Sequence, residues 1–313
     1  MSIAFVFPGQ GSQTVGMGGE LAAAFPAARQ VLEEVDEALG QRLSRLMREG
    51  PEADLTLTEN AQPAIMAVSI AVARVLEAEL GAPLMGRAGF VAGHSLGEWS
   101  ALIAAGALPL DATARLLRLR GRAMQEAVPA GEGAMVALLG ADVEAAAALA
   151  AEAAGGDVCA IANDNAPGQV VLSGSAAAID RAEALAPAKG IKRCVRLTVS
   201  APFHCALMRP AADRLAAALE TATLVAPAVP LVANVTAEPV DNPTAIRRLL
   251  VEQVTATVRW RESVVRLKSE GVGRIVELGQ GKVLSGLVKR IDRDLDAGAA
   301  ATPAEVDALL KSL

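Results

Sequence analysis

The residues best suited to chemistry in this chain are a serine and the two histidines of the sequence, His94 and His204. Ser95 is the centre of a Gly-x-Ser-x-Gly pattern, Gly93 to Gly97, between a short apolar stretch and an Ala-rich, helix-prone one. In this context the pattern is typical of a nucleophile elbow, a tight strand-to-helix turn that exposes a serine hydroxyl. The following helix directs its N-terminal N–H groups toward the position of an oxyanion. The sequence therefore predicts covalent catalysis by Ser95.

A serine nucleophile needs a base within hydrogen-bond reach, and the candidates are two. His94 adjoins Ser95, and neighbouring side chains at a tight turn diverge. We therefore expect His204 to be the base, since the histidine also comes late in the chain of elbow enzymes; the alternative is a structural loop histidine. No Asp or Glu in an obvious motif is available to orient His204, so a carbonyl oxygen could accept its second N–H.

The composition indicates a soluble globular chain with a large aliphatic core. It has 313 residues, of which 52% are hydrophobic and 20% charged, and the absence of Tyr excludes that residue from catalysis. The net charge of −6, without a strong basic block, argues against nucleic acid as a partner. The uncharged run 221–237 is interrupted by prolines, so no membrane helix is expected.

The cysteines and the N-terminus suggest a cytoplasmic protein without a metal site. Cys159, Cys194 and Cys205 show no C-x-x-C spacing, and two histidines are few for a zinc centre. The first residues, MSIAFVFPGQG, lack a basic segment and are interpreted as a strand instead of a signal peptide.

The order of the predicted elements indicates an α/β protein. Apolar strands separated by helical segments predict a parallel sheet in a large, α/β-hydrolase-like domain. Between 134 and 199 the predicted order is β-α-β-β-α-β, as in ferredoxin-like domains. We therefore predict a large domain built from 1–128 and 199–313, with a small ferredoxin-like subdomain at 129–198 inserted in it.

Proline and acidic residues suggest where several helices begin. The polar segment 55–62 is predicted to be a loop, with Pro63 opening a long helix that reaches about Leu80. Asp111 is predicted to cap the helix that follows it. Thr302 and Glu305 have the spacing of a capping box at the last helix.

Nine stretches distributed along the whole chain are more specific than the elbow pattern alone. They are FVFPGQGSQ at 5–13, TENAQPAI at 58–65, GHSLGEWSAL at 93–102, LRGRAMQEA at 119–127, NDNAPGQVVLSG at 163–174, VSAPFHCALM at 199–208, VANVTAEPV at 232–240, QVTATVRW at 253–260 and ELGQGKVLSGLVKR at 277–290. In this order they resemble the malonyl-CoA:acyl carrier protein transacylases, which load malonyl groups for bacterial fatty acid synthesis.

The resemblance implies a role for each part of the catalytic machinery. Ser95 would be the nucleophile that becomes malonylated, and His204 its base. Gln253 would orient the histidine through its side-chain carbonyl. Gln10 and the Leu96 N–H would form the oxyanion hole.

The resemblance also implies how the substrate is held. Arg120 would bind the free malonyl carboxylate, which a guanidinium can grip with two hydrogen bonds. The pocket would be lined by four further residues: His94, Asn163, Ser200 and Phe203.

The implied reaction needs no permanently bound cofactor. Its substrate is malonyl-CoA, and its acceptor is the phosphopantetheine thiol of holo acyl carrier protein, an acidic and transient partner. A monomer is expected to suffice, because one chain supplies the whole site. Six basic residues could dock the carrier or could simply be solvated: Lys189, Lys192, Arg193, Arg196, Lys289 and Arg290.

Other functions are compatible with the same elbow. A thioesterase or hydrolase would use Ser95 in the same way, but Arg120 favours acyl transfer. A non-catalytic carrier-binding module is disfavoured because the nucleophile, the base and their partners are all present. A polyketide-loading acyltransferase would have much the same sequence.

Overall fold

Residues 2–313 are described by a computed structural model, and they form two β-sheets surrounded by helices. The strands are β1 (Ser2–Phe7), β2 (Ala88–Gly93), β3 (Gly133–Leu139), β4 (Cys159–Ala166), β5 (Gln169–Ser175), β6 (Arg193–Arg196), β7 (Leu231–Val232), β8 (Pro239–Val240), β9 (Val272–Leu278) and β10 (Asp296–Ala300).

Helices connect most of these strands. They are α1 (Gly19–Ala24), α2 (Pro26–Leu39), α3 (Leu43–Glu49), α4 (Glu52–Thr56), α5 (Thr58–Leu80), α6 (Leu96–Ala104), α7 (Leu110–Glu126), α8 (Val143–Ala154), α9 (Ala176–Leu185), α10 (Arg209–Glu220), α11 (Pro243–Glu252), α12 (Trp260–Ser269), α13 (Val283–Ile291) and α14 (Pro303–Leu310). Among residues 2–313, no helix combines the length and apolarity that a membrane crossing requires.

The larger sheet has the strand order β10-β9-β1-β2-β7-β8 and is parallel except for β8. Its central strand β1 is buried without alternation from Ala4 to Phe7, because helices cover both faces of the sheet. The predicted α/β fold with a parallel sheet is confirmed. Strand β10 was not predicted, since its sequence, DAGAA, has neither β-branched nor aromatic residues.

The smaller sheet is antiparallel, with the order β4-β5-β3-β6. Its helices α8 and α9 pack on it through an aliphatic cluster that includes Val136, Leu149 and Ile179. The predicted ferredoxin-like arrangement is therefore confirmed. The boundaries at 128/129 and 198/199 stay predictions.

The predicted loop at 55–62 is wrong, because α5 already begins at Thr58 and contains Pro63. A proline inside a helix leaves the carbonyl four residues earlier without its N–H partner. Here that carbonyl, on Glu59, accepts a hydrogen bond of 2.9 Å from Arg118 Nε of α7. A contact from a distant helix thus permits the proline.

Helix caps give one correction and one confirmation. The prediction that Asp111 caps α7 is wrong, because the helix begins at Leu110 after Pro109, and Asp111 lies in its first turn. The capping box is confirmed: Thr302 and Glu305 each accept the other's backbone N–H.

Candidate active site

The elbow connects β2 to α6 at the carboxyl edge of the large sheet. Ser95 has φ 52° and ψ −108°, a strained conformation for a residue with a side chain. Strand and helix pass so closely that a Cβ on Gly93 would lie 2.0 Å from the carbonyl carbon of Gly97. A Cβ on Gly97 would lie 2.1 Å from the carbonyl oxygen of Phe7. Both glycines are therefore required by close contact, and the turn exposes the Ser95 hydroxyl.

His204 lies against this hydroxyl. Its Nε2 is 2.9 Å from Ser95 Oγ, and its Nδ1 donates to the main-chain oxygen of Gln253 at 2.8 Å. Because Nδ1 must carry the proton for that bond, Nε2 of the neutral ring is free to accept the serine proton. Burial, with Arg120 as a second cause, lowers the pKa of His204 to about 3. The ring is thus neutral and ready to act as a base.

The orienting group differs from the one that the resemblance implies. The main-chain carbonyl of Gln253 holds His204, and the predicted side-chain carbonyl does not. The residue caps the end of α11, where the last carbonyls have no partner within the helix. Its side chain is used elsewhere, since Oε1 accepts from Arg120 Nη2 at 3.0 Å.

Arg120 enters the site from α7 and is 2% exposed. Its Nη2 donates to Ser95 Oγ at 3.0 Å, and its Nη1 donates to Gln62 Oε1 at 2.7 Å. The buried Nε has no partner in residues 2–313. Burial lowers the pKa of Arg120 to about 10, so the guanidinium is still cationic at neutral pH. A carboxylate near Ser95 would find this charge beside it.

A cavity of about 540 Å³ opens in front of these groups, a size suited to a small organic substrate. Ser95, His204 and Arg120 all line it. The residues expected in the pocket line it as well: His94, Asn163, Ser200 and Phe203.

The two residues expected at the oxyanion hole both lie close to the cavity or to Ser95 in the chain. Gln10 follows β1 and lines the cavity, with its Nε2 donating to Thr58 Oγ1 at 3.2 Å. Leu96 is the first residue of α6, so its N–H has no acceptor within the helix. The role of these two residues as an oxyanion hole stays a prediction.

His94 is directed away from the serine. Its Nε2 lies 2.9 Å from Asn165 Oδ1, and its ring packs against Trp260 with the centroids 6.1 Å apart. Burial lowers the pKa of His94 as well. The two histidines are thus separated as expected, one facing Ser95 and the other the small sheet.

Three buried polar residues around the site were missed by the sequence reasoning. Asn234 Oδ1 accepts the Ser95 N–H at 2.7 Å, and Asn234 N donates to Glu98 Oε2 at 3.1 Å. The third is Gln62, which holds Arg120. A signal was present for Glu98, because it is a charged residue in the otherwise mostly apolar helix that follows the elbow.

No group of three or more His, Cys, Asp or Glu side chains among residues 2–313 could hold a metal ion. The reactive groups that line the cavity are a serine hydroxyl, an imidazole and a guanidinium.

Comparison with known proteins agrees with this geometry. The sequence profile of the acyl transferase domain matches residues 4–301. The malonyl CoA-acyl carrier protein transacylase of Bacillus subtilis (strain 168) is 45% identical over 312 residues, covering 99% of this chain and 97% of that protein. The protein therefore belongs to the acyl transferase domain family, and the resemblance predicted from the sequence is confirmed.

Two solved structures extend the similarity to the fold. An acyl-carrier-protein-S-malonyltransferase from Bartonella henselae has a TM-score of 0.97 and 52% identity, covering 100% of this chain and 99% of that one. A malonyl-transacylase solved in complex with a holo type II PKS acyl-carrier protein has a TM-score of 0.96 and 43% identity, covering 100% of both chains.

Proposed function

We propose that this protein transfers a malonyl group from malonyl-CoA to the phosphopantetheine thiol of acyl carrier protein, through a malonyl ester of Ser95. One observation carries the proposal: Ser95 Oγ lies 2.9 Å from the His204 imidazole and 3.0 Å from the Arg120 guanidinium. Nucleophile, base and a binding group for a carboxylate therefore meet in one cavity. The named activities of the relatives at 45% and 52% identity support the same reaction.

In the first half-reaction, Ser95 Oγ attacks the thioester carbonyl of malonyl-CoA as His204 Nε2 takes its proton. The oxyanion is stabilised by the N–H groups of Leu96 and Gln10. The tetrahedral intermediate collapses, the C–S bond breaks, and the thiolate of CoA leaves with the proton from His204. The product is malonyl-Ser95 and free CoA.

In the second half-reaction, the carrier's thiol gives its proton to His204 and attacks the ester of malonyl-Ser95. Collapse of this second intermediate breaks the C–O bond, and Ser95 Oγ recovers the proton. The neutral His204 that the cavity maintains can therefore serve both steps. No metal or further cofactor enters either step.

Arg120 gives the proposal its substrate class. A buried guanidinium whose hydrogen bonds in the free site all go to neutral groups favours an acyl group that brings its own carboxylate. An acetyl group would leave that charge unpaired in an enclosed cavity, and such sites reject analogues that lack the expected partner.

We propose Lys192 and Arg193 as the docking residues for an acidic carrier. Both are exposed, and they lie just before the segment 197–200 that lines the cavity. The other basic candidates are engaged within the protein: Lys189 with Glu152, Arg196 with Asp180 and Glu183, Lys289 with the Leu295 carbonyl and Arg290 with Gln169.

Fatty acid synthesis is the pathway that the named relatives favour. One structural neighbour was solved in complex with a holo type II PKS acyl-carrier protein, so polyketide synthesis is the alternative pathway. The cytoplasmic location and the monomeric state stay predictions from the sequence, and both are compatible with either pathway.

The proposal is tested by intact mass spectrometry after the protein is mixed with malonyl-CoA, beside the Ser95→Ala variant. We expect a gain of one malonyl group in the wild type and none in the variant. Addition of holo acyl carrier protein should discharge the group onto the carrier. Release of free malonate without carrier loading would instead establish a hydrolase.

A further inference from the structure

Glu98 is a buried carboxylate for which the reaction as described has no use. It lies in the first turn of α6, three residues after the nucleophile, and is 1% exposed. Its Oε2 accepts hydrogen bonds from Gln253 Nε2 at 2.7 Å and from Asn234 N at 3.1 Å. A buried carboxylate is costly to fold around unless its hydrogen bonds are made, so these contacts define its role.

The two ends of the Gln253 side-chain amide face opposite kinds of groups. Its Nε2 end faces three oxygen acceptors: Glu98 Oε2, the Ser95 carbonyl and Asn234 Oδ1, at 2.7, 3.0 and 3.3 Å. Its Oε1 end faces Arg120 Nη2, which can only donate. A flipped amide would set an oxygen against the acceptors and an NH2 group against the guanidinium. Glu98 accepts the shortest of the three bonds that exclude this flip.

The orientation of the amide sets the position of Arg120. Arg120 Nη2 shares its hydrogen bonds between Gln253 Oε1 and Ser95 Oγ, both at 3.0 Å. If the NH2 end faced Nη2, donor would meet donor and the guanidinium would move away from the serine. Both charged groups, one on each side of the amide, thus favour the same orientation.

We infer that Glu98 is a positioning residue that fixes the Gln253 amide and thereby holds the Arg120 guanidinium beside Ser95, where a substrate carboxylate binds. The inference rests on the proposed function for the identity of that carboxylate. The orientation of the amide itself does not depend on it.

The titratable groups around the Gln253 amide differ in their pKa values. Burial raises the pKa of Glu98 to about 7. Arg120 from α7 and His204 from the loop before α10 have pKa values of about 10 and about 3, both because of burial. His94, which precedes the nucleophile and contacts the small sheet, has a pKa held below its ordinary value. Between about pH 6.5 and pH 9, Glu98 is therefore the group in the network that titrates.

The kinetic test compares acylation of Ser95 by malonyl-CoA and by acetyl-CoA in Glu98→Leu and Glu98→Gln. Leucine removes the acceptor, so the malonyl-to-acetyl ratio of kcat/KM should fall by about tenfold to a hundredfold, as for a lost hydrogen bond to a charged group. Glutamine keeps an acceptor oxygen and should restore most of the ratio. An unchanged ratio in Glu98→Leu, or equal losses for both substrates, would overturn the inference.

Glu277 provides the matched control. It is a second fully buried carboxylate, and it also accepts a main-chain N–H, that of Ser285 at 2.8 Å, but among residues 2–313 it makes no hydrogen bond to Gln253 or Arg120. Glu277→Leu should leave the malonyl-to-acetyl ratio unchanged even where it lowers stability. A ratio altered as strongly as in Glu98→Leu would mean that any buried carboxylate has this effect, and the inference would fail.

A second readout needs no substrate. The side-chain amide signal of Gln253 in ¹H–¹⁵N spectra, assigned by its loss in Gln253→Glu, should shift between about pH 6.5 and pH 9 in the wild type and stay constant in Glu98→Gln. Absence of the wild-type shift would contradict the inference. If the shift is present but the wild type shows no preference for malonyl-CoA, the positioning role stands and the proposed function fails.

Discussion

Two arginines, one at the floor of the cavity and one on the edge of the small sheet, show how differently the two regions treat the same charge. Arg196 on β6 is exposed and pairs with Asp180 and Glu183. Arg120 is buried, and its hydrogen-bond partners are two amide oxygens and the serine hydroxyl. Arg196 is thus neutralised by carboxylates of the protein, whereas Arg120 keeps its charge for a ligand. A charge that is available to the substrate is therefore one whose hydrogen bonds within the protein go to neutral groups.

Loss of the base should have the largest effect at the floor. In His204→Ala the Ser95 hydroxyl has no proton acceptor, so acylation by malonyl-CoA should slow by about 10²- to 10⁴-fold, the usual contribution of general base catalysis. Rapid-quench mass spectrometry measures the rate, and a thermal unfolding scan checks that the variant is folded. A rate within a fewfold of wild type would assign the base elsewhere.

Removal of the cavity-floor charge tests the comparison directly. Arg120→Ala should lower kcat/KM for malonyl-CoA by about a hundredfold, because the substrate carboxylate is then buried without a partner. The value for acetyl-CoA should stay level or rise. Arg196→Ala, which removes the exposed arginine of β6, is the matched control and should change neither kcat/KM value. Equal malonyl preference in the two variants would show that the buried and the exposed arginine do not differ in their effect on substrate choice.

The exposed residues Lys192 and Arg193 should affect only the reaction with the carrier protein. Charge reversal in the pair Lys192→Glu and Arg193→Glu should raise the KM for holo acyl carrier protein by about tenfold at low salt, with a smaller effect at high salt. Acylation by malonyl-CoA should not change, because neither residue lines the cavity. Separate rate measurements for acylation by malonyl-CoA and for transfer to the carrier protein distinguish the two effects. Unaltered carrier kinetics would move the docking surface to another face.

The smallest expected effect is a flat pH profile. With the titrating carboxyl removed in Glu98→Gln, the remaining groups at the floor have pKa values of about 3 for His204 and about 10 for Arg120. His204 loses its proton well below its ordinary pKa, so it is already neutral at pH 5 and stays so as pH rises. The rate of acylation should then be constant from about pH 5 to pH 9. An inflection near pH 6.5 would show that burial leaves His204 unshifted.

The sequence predicted those parts of the molecule that depend on local pattern. The elbow around Ser95 is local, because its two glycines and the flanking strand and helix are contiguous. The alternation of elements between 134 and 199 was enough for the ferredoxin-like order. The pairing of Ser95 with His204 followed from the scarcity of histidines, although the residues are 109 positions apart.

Several of the errors lie where a contact between residues far apart in the sequence decides the structure. Pro63 suggested a helix start, but Arg118 satisfies the carbonyl that the proline leaves unpaired. For Gln253 the residue was found and the atom was wrong, since a sequence does not distinguish a side-chain oxygen from a main-chain one. Glu98 was missed because its partners, Asn234 and Gln253, are more than 130 residues away in the chain.

Nucleophile and base share a backbone feature with a consequence for protein engineering. Ser95 and His204 are two of the three non-glycine residues with positive φ among residues 2–313. Such a conformation costs a residue with a side chain roughly 1 to 2 kcal/mol, and glycine escapes most of that cost. Selection for heat resistance alone would therefore be drawn to Ser95→Gly, which removes only a small side chain and abolishes the chemistry. Any screen for a sturdier enzyme has to score turnover beside melting temperature.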